Sequence, residues 1–133
     1  YTEQYPQGLG PTDAGLKTCL ASAAGPLIKT TCSCWRDATF RAALQRTEQE
    51  QVIVAGLETH VCIQQTVMDL IRVDYQVFVP VDAVGSRYQS DMTVALERMR
   101  NSGAELSTTE SLIFEVIERC DHPKFEDVLK LVK

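Results

Sequence analysis

The stretch Gln51–Cys62, QVIVAGLETHVC, runs from a short β-branched apolar segment through a turn to a cysteine, and IQQTVMDLI then continues with helical spacing. A thiol in the first turn of a helix lies among unpaired backbone N–H groups at the positive end of the dipole, which favours thiolate over thiol. Cys62 is therefore a candidate nucleophile with a depressed pKa. Free cysteine is also among the most buried residue types and commonly does no more than fill space, so the surroundings of the thiol must decide between the two readings. Five cysteines occur, at 19, 32, 34, 62 and 120, an odd number with one C-x-C and no C-x-x-C pair, and reduced thiols are expected. Both histidines, His60 and His122, stand alone without metal-ligand spacing, and no metal site is expected.

The elements that must position Cys62 follow from the hydrophobic pattern. Residues 1–26 are rich in Gly and Pro and read as a loop-like start with one weak helical patch around Ala14 to Ala21. PLIKTTCSCW gives a short strand ending at Lys29, and RDATFRAALQRTEQE places Phe40, Ala43 and Leu44 on one helical face. QVIVAG is a second strand, and IQQTVMDLIRV sets Ile63, Val67, Leu70 and Ile71 on one face of a helix. YQVFVPVDA supplies a third strand, SDMTVALERMRNSG a helix ended by Gly103, and AELSTTESLIFEVIERC a short strand and a helix whose Ser107-Thr-Thr-Glu110 fits a capping box. A last amphipathic piece, HPKFEDVLKLVK, closes the chain.

Alternating β and α segments with continuous apolar strands predict an α/β fold, a doubly wound parallel sheet covered by helices on both faces. Ligands in such folds bind beyond the carboxyl ends of the strands. Lys29, Cys62 and Asp82 each follow a strand and should meet at that edge.

With 133 residues, 44% hydrophobic and 23% charged, the chain is expected to form a single domain over residues 1–133. A net charge of −5 and a pI near 5.0 argue against a nucleic-acid partner, which needs clustered Lys and Arg, and favour a small molecule. No apolar run approaches the ~20 residues that cross a bilayer, and YTEQYPQGLG has no signal-like core, so no membrane partner and a cytoplasmic location are expected.

The segment VIVAGLETHVCIQQTVMDLIRVDYQVFVPVDA resembles the nucleophile region of the isochorismatase-like cysteine hydrolases. TEQYPQGLGPT, KTTCSCW, DAVGSR, ALERMRNSGAELSTTESLIFE and HPKF extend the resemblance through nearly the whole chain, toward the small isochorismatase domain-containing, mitochondrial-associated ribonuclease-like branch. The resemblance implies a three-layer αβα fold and an Asp–Lys–Cys triad, with Lys29 as the strand-end lysine and Cys62 as nucleophile. It also implies a non-proline cis peptide at Leu57–Glu58 and an oxyanion hole formed by the backbone N–H groups of Glu58 and Cys62. It implies hydrolysis of a small amide-like C–N bond through a thioester, no cofactor and no metal, and a homo-oligomer. True isochorismatases lack the nucleophilic cysteine, and the nicotinamidase-type Asp-x-His metal arrangement is replaced here by TEQYPQGLG.

One part of the pattern is missing. The triad aspartate belongs to the end of a first strand that is central in the family's 3-2-1-4-5-6 sheet order, and YTEQYP matches the segment after the second strand, so the fold is expected to lack the first strand and helix. Asp13, Asp37 and Asp82 stand in loop, helix or structural contexts and do not fit the role. The alternative to an active hydrolase is an inactive or scaffold member of the family. Trp35 and Tyr5 are candidates for the pocket lining or the core, Cys32 and Cys34 for packing, and Ser86 and Arg87 for capping the next segment or a subunit contact. His60 is a weak candidate base on a connecting turn.

Overall fold

A computed structural model describes residues 1–132 of the chain. Seven short strands, β1 (Thr2–Gln4), β2 (Leu27–Lys29), β3 (Gln51–Ile53), β4 (Gly56–Leu57), β5 (Gln76–Pro80), β6 (Val84–Gly85) and β7 (Glu105–Ser107), alternate with helices. The helices are α1 (Pro6–Leu9), α2 (Ala14–Cys19), α3 (Ala38–Gln45), α4 (Gln64–Ile71), α5 (Gln89–Asn101), α6 (Thr109–Ile117) and α7 (Phe125–Val132). A 3-10 turn covers Cys34–Arg36 and a π-helical turn covers Thr59–Ile63.

Every strand pair is parallel, in three ladders: β1–β2, β3–β5–β7 and β4–β6. The fold is the expected α/β class, and its sheet is interrupted: among the described residues no strand bridges β1–β2 to β3–β5–β7. The interruption has a visible cost. β5 is flanked on both sides and largely buried, whereas β3 is an edge whose Ile53 is 54% exposed.

The core is built where the period-3.6 face of α4 meets the sheet. Ile63, Val67 and Leu70 bury against Val77 and Val79 of β5, Met99 of α5 and Ala104. Local chemistry starts the helices: the Asp13 carboxylate accepts from Gly15 and Leu16 N–H to cap α2, and Asp37 accepts from Thr39 and Phe40 N–H to cap α3. The expected capping box is displaced by one residue. Ser107 stays in β7, where its carbonyl accepts from Val81 N–H, and Thr108 caps α6 by accepting from Ser111 N–H. Asp82 adds a second brace there, accepting from the Thr109 N–H at 2.8 Å and its hydroxyl at 3.0 Å.

The first 26 residues are more ordered than their Gly and Pro content suggests. β1 pairs in register with β2, Thr2 opposite Leu27 and Gln4 opposite Lys29, and Tyr5 N–H continues the ladder to Lys29 C=O at 3.0 Å. Gly25, at φ 131, lets the return loop pass so close to Tyr1 that a Cβ there would lie 2.6 Å from its carbonyl oxygen. No helix among the described residues is long and apolar enough to cross a membrane.

One buried hydroxyl ties α4 to the loop after β2. Thr66 Oγ1 accepts from Cys34 N–H at 2.9 Å and donates to Cys62 C=O at 2.7 Å. Thr66→Val keeps the shape but removes the acceptor of Cys34 N–H, so urea unfolding should show a loss of about 1–3 kcal/mol. Leu70→Ala, a cavity mutation at the centre of the core, should cost about 2–5 kcal/mol.

Candidate functional site

The carboxyl ends of β1 and β2 bring Gln4 and Lys29 side by side, and the turn after β4 carries Cys62 to them. Lys29 is a buried lysine, 3% exposed. Its Nζ donates to Thr31 C=O at 2.9 Å, to Cys32 C=O at 3.1 Å and to Gln4 Oε1, and lies 3.7 Å from Cys62 Sγ. An ammonium has three N–H donors, and three oxygens already answer them. Lys29 therefore acts on the sulfur chiefly as a nearby charge. The thiol in turn directs its S–H toward Gln4 Oε1 at 3.8 Å.

Cys62 lies inside the π-helical turn, not in the first turn of a regular helix. Glu58, in extended conformation, begins this turn, and its carbonyl accepts from both Val61 N–H at 3.1 Å and Ile63 N–H at 3.2 Å. The peptide joining Leu57 to Glu58 is cis. Gly56, at φ 121, opens the path into it, and β4 is anchored by pairing with β6.

The expectation of a depressed thiol pKa is corrected by this geometry. Burial pushes the Cys62 thiol up, and the opposing pull of the Lys29 charge does not overcome it. The neighbouring Cys32 and Cys34 push in the same direction as burial. The placement at a helix start suggested a bare N-terminal dipole, whereas partial burial is the largest influence on the thiol.

The other expected residues fall into place as follows. Asp82 braces α6 through Thr109, in keeping with the structural context expected of it, and takes no part in the Lys29–Cys62 pair. Ser86 and Arg87 do not cap α5, whose first turn has no side-chain cap. Their contacts are with the Thr59–Ile63 turn and the Glu58 before it: Ser86 Oγ lies 3.0 Å from His60 Nδ1, Arg87 N–H donates to Glu58 Oε2 at 3.2 Å, and Arg87 Nε lies 3.5 Å from the same oxygen. His60 also approaches Glu58 and Asp91, at 3.6 and 3.7 Å, so its ring is engaged by partners other than the thiol. Cys32 is exposed, not packed. Trp35 packs against the core edge-on to Tyr75 and lines a different, outer cavity, and Tyr5 is half exposed. No cluster of three or more His, Cys, Asp or Glu residues suited to a metal occurs among the described residues.

Gln4 is the site residue that the sequence reading missed. The signal was its register: a polar side chain at the end of a strand directly opposite Lys29, hidden because TEQ has no apolar alternation.

With this geometry in place, the comparison with known proteins is direct. The isochorismatase domain family matches residues 1–111. The chain belongs to the isochorismatase family. Isochorismatase domain-containing protein 2 from Bos taurus is 46% identical to this isochorismatase-family chain over 132 residues, which is 99% of the chain and 63% of the relative. The chain thus spans somewhat under two thirds of the length of that relative. The structure of MAR1 ribonuclease from Caenorhabditis elegans superposes with a TM-score of 0.91 at 40% identity, covering 98% of the chain and 67% of that structure. YcaC from Pseudomonas aeruginosa, solved with hexane-2,5-diol and covalent acrylamide, gives 0.86 at 28% identity, covering 96% and 65%.

The Lys29 charge and hydrogen bond are the influences that lower the thiol pKa. Lys29→Met should therefore move the pH midpoint of Cys62 alkylation further upward, read by mass labelling of the Cys62 peptide from neutral to alkaline pH. An unchanged midpoint in a folded variant would remove Lys29 from the role of charged neighbour. Stability has the matching sign. The folded thiol titrates above its unfolded value, so its contribution is full below the ordinary thiol pKa and is lost as pH rises through the folded one. Cys62→Ala should accordingly flatten the alkaline end of the stability profile.

Proposed function

We propose that this chain is the nucleophile-bearing part of a cysteine-dependent hydrolase acting on a small amide-like C–N bond. The observation that carries the reading is the 3.7 Å approach of the buried Lys29 ammonium to the Cys62 sulfur, at the carboxyl edge of the parallel strands. Covalent acrylamide in the related YcaC structure supports the thiol part of the reading, because acrylamide is an electrophile whose C=C carbon thiolates attack.

The chemistry follows from the groups present. Once deprotonated, Cys62 Sγ attacks the carbonyl carbon, forming a C–S bond while the C=O electrons move onto oxygen. The backbone N–H groups of Glu58 and Cys62 are the proposed donors to that oxyanion. Its collapse breaks the C–N bond and releases the amine, which takes up a proton, and leaves a thioester. Water then adds to the thioester, and its breakdown gives the carboxylic acid and restores the thiol. No cofactor is needed for these steps. Lys29 lies where it would stabilise the thiolate, and Gln4 holds the lysine against it.

The raised thiol pKa sets a requirement. At neutral pH the S–H proton must be removed by a base, and the charged and thiol groups that act on Cys62 are Lys29, Cys32 and Cys34, none of them a carboxylate. This favours a second reading, a family member that binds without turning over unless a carboxylate is brought beside the thiol.

The two readings separate in one experiment. The isolated 133-residue chain should show little turnover of small primary amides. Joining to it a family-type strand–helix segment that ends in Asp should give turnover that Cys62→Ser abolishes. Turnover by the joined protein that survives Cys62→Ser would overturn the cysteine mechanism, and absence of turnover in a folded joined protein would favour the binding-only reading. Efficient hydrolysis by the isolated chain would show that another group already serves as base.

A further inference from the structure

Three guanidinium groups converge on a surface cavity of about 240 Å³ beside α4: Arg36 from the 3-10 turn, Arg72 just past the end of α4 and Arg98 from the last turn of α5. Asp69, 7% exposed, also lines it and organises two of the three. Its carboxylate accepts from Arg36 Nε at 2.7 Å and Nη2 at 3.4 Å, and from Arg72 Nη1 at 2.7 Å. A planar guanidinium held this way has a fixed orientation, and its remaining N–H groups stay free to donate elsewhere.

The charges do not cancel. Arg98 forms no ion pair among the described residues, so three cations face one carboxylate and the cavity carries two positive charges in excess. That excess stands out in a chain whose net charge is −5. A second observation points the same way. Gln64 lines the cavity, is 8% exposed, and its side-chain amide forms no hydrogen bond with the described residues. The amide is not among the buried unpaired groups, so it is open to the cavity it lines and free to donate there.

We propose that this cavity binds a phosphate dianion, either free phosphate or the terminal group of a phosphorylated small molecule. A phosphate monoester carries about −1.5 to −2 charges at neutral pH and three strong acceptor oxygens, which matches both the excess charge and the number of donors. A phosphodiester or a carboxylate carries a single charge and leaves one guanidinium unanswered. Arg98 and the Gln64 amide supply the contacts that Asp69 does not already use, and Arg36 and Arg72 close the sides.

Calorimetric titration of the full chain with inorganic phosphate, phenyl phosphate and dimethyl phosphate tests this. Saturable binding is expected for the first two, with dimethyl phosphate at least roughly tenfold weaker because it presents one charge instead of two. Affinity for phenyl phosphate should rise as pH increases through about 6, where the monoester dianion forms, and affinity for inorganic phosphate should rise at somewhat higher pH, where its own dianion forms. Tighter binding of phenyl phosphate would assign the site to an organic ester, and tighter binding of inorganic phosphate to the free anion. Arg98→Met, which leaves both Asp69 pairs intact, should weaken binding roughly tenfold, and Gln64→Leu should weaken it as well. Arg100→Met, in the same helix turn but outside the cavity lining, should leave affinity unchanged. Equal losses from Arg98→Met and Arg100→Met would show general surface attraction and overturn the proposal. So would dimethyl phosphate binding as tightly as phosphate, or no saturation at millimolar concentrations.

Discussion

A lysine ammonium removed from water governs the arrangement of the first third of the chain. Burying such a charge without partners costs several kcal/mol, so the surrounding backbone must supply acceptors at fixed positions. Thr31 and Cys32 turn their carbonyls inward after β2, and β1 lies alongside β2 in the one register that delivers the Gln4 amide oxygen. The loop after β2 is then fastened to α4 by the Thr66 hydroxyl, which also holds the carbonyl of Cys62. Thiol and ammonium are thus two ends of one hydrogen-bonded path through Thr66 and the Cys32–Cys34 backbone. The closeness of charge and sulfur follows from satisfying a buried cation.

The Thr59–Ile63 turn that carries Cys62 is positioned by a different kind of contact. Its outer side is held by charged and hydroxyl groups from the β6–α5 connection, with Arg87 on Glu58 and Ser86 on His60. The inner side is held by apolar packing of Ile63 under α4. Cys62 lies between a polar brace and a dry core, and that partial burial pushes its thiol pKa up.

How much of this was legible in the sequence depended on the range of the interaction. The α4 face, the strand of Val77 and Val79, and the placement of Lys29 and Cys62 at strand ends all follow from local periodicity, because burial is imposed every 3.6 or two residues. The cis bond position and the pairing of Lys29 with Cys62 came from the resemblance carried by QVIVAGLETHVC and IKTTCSCW. β1 escaped because its strand character comes from β2, some 25 residues away, and not from TEQ itself. The π-helical turn escaped because hydrogen-bond register has no compositional mark. The sign of the Cys62 pKa shift escaped because a dipole can be placed from a helix start, whereas desolvation depends on what packs above it. The contacts of Ser86 and Arg87 with His60 and Glu58 escaped for a related reason, since these partners lie more than 25 residues upstream.

The division of the sheet into separate ladders bears on how the site comes together in time. Lys29 and Gln4 belong to one hydrogen-bonded unit, and Cys62 belongs to the chain beyond another, so no single ladder holds sulfur and ammonium in place. Contacts between such units can open without unfolding either one, at a free energy below that of global unfolding. The sulfur–ammonium distance is therefore set by the docking of two parts, and amide exchange in β1 and β2 would report the lifetime of the assembled pair while β5 reports the endurance of the whole fold. In this protein the sulfur–ammonium pair is a property of the seam.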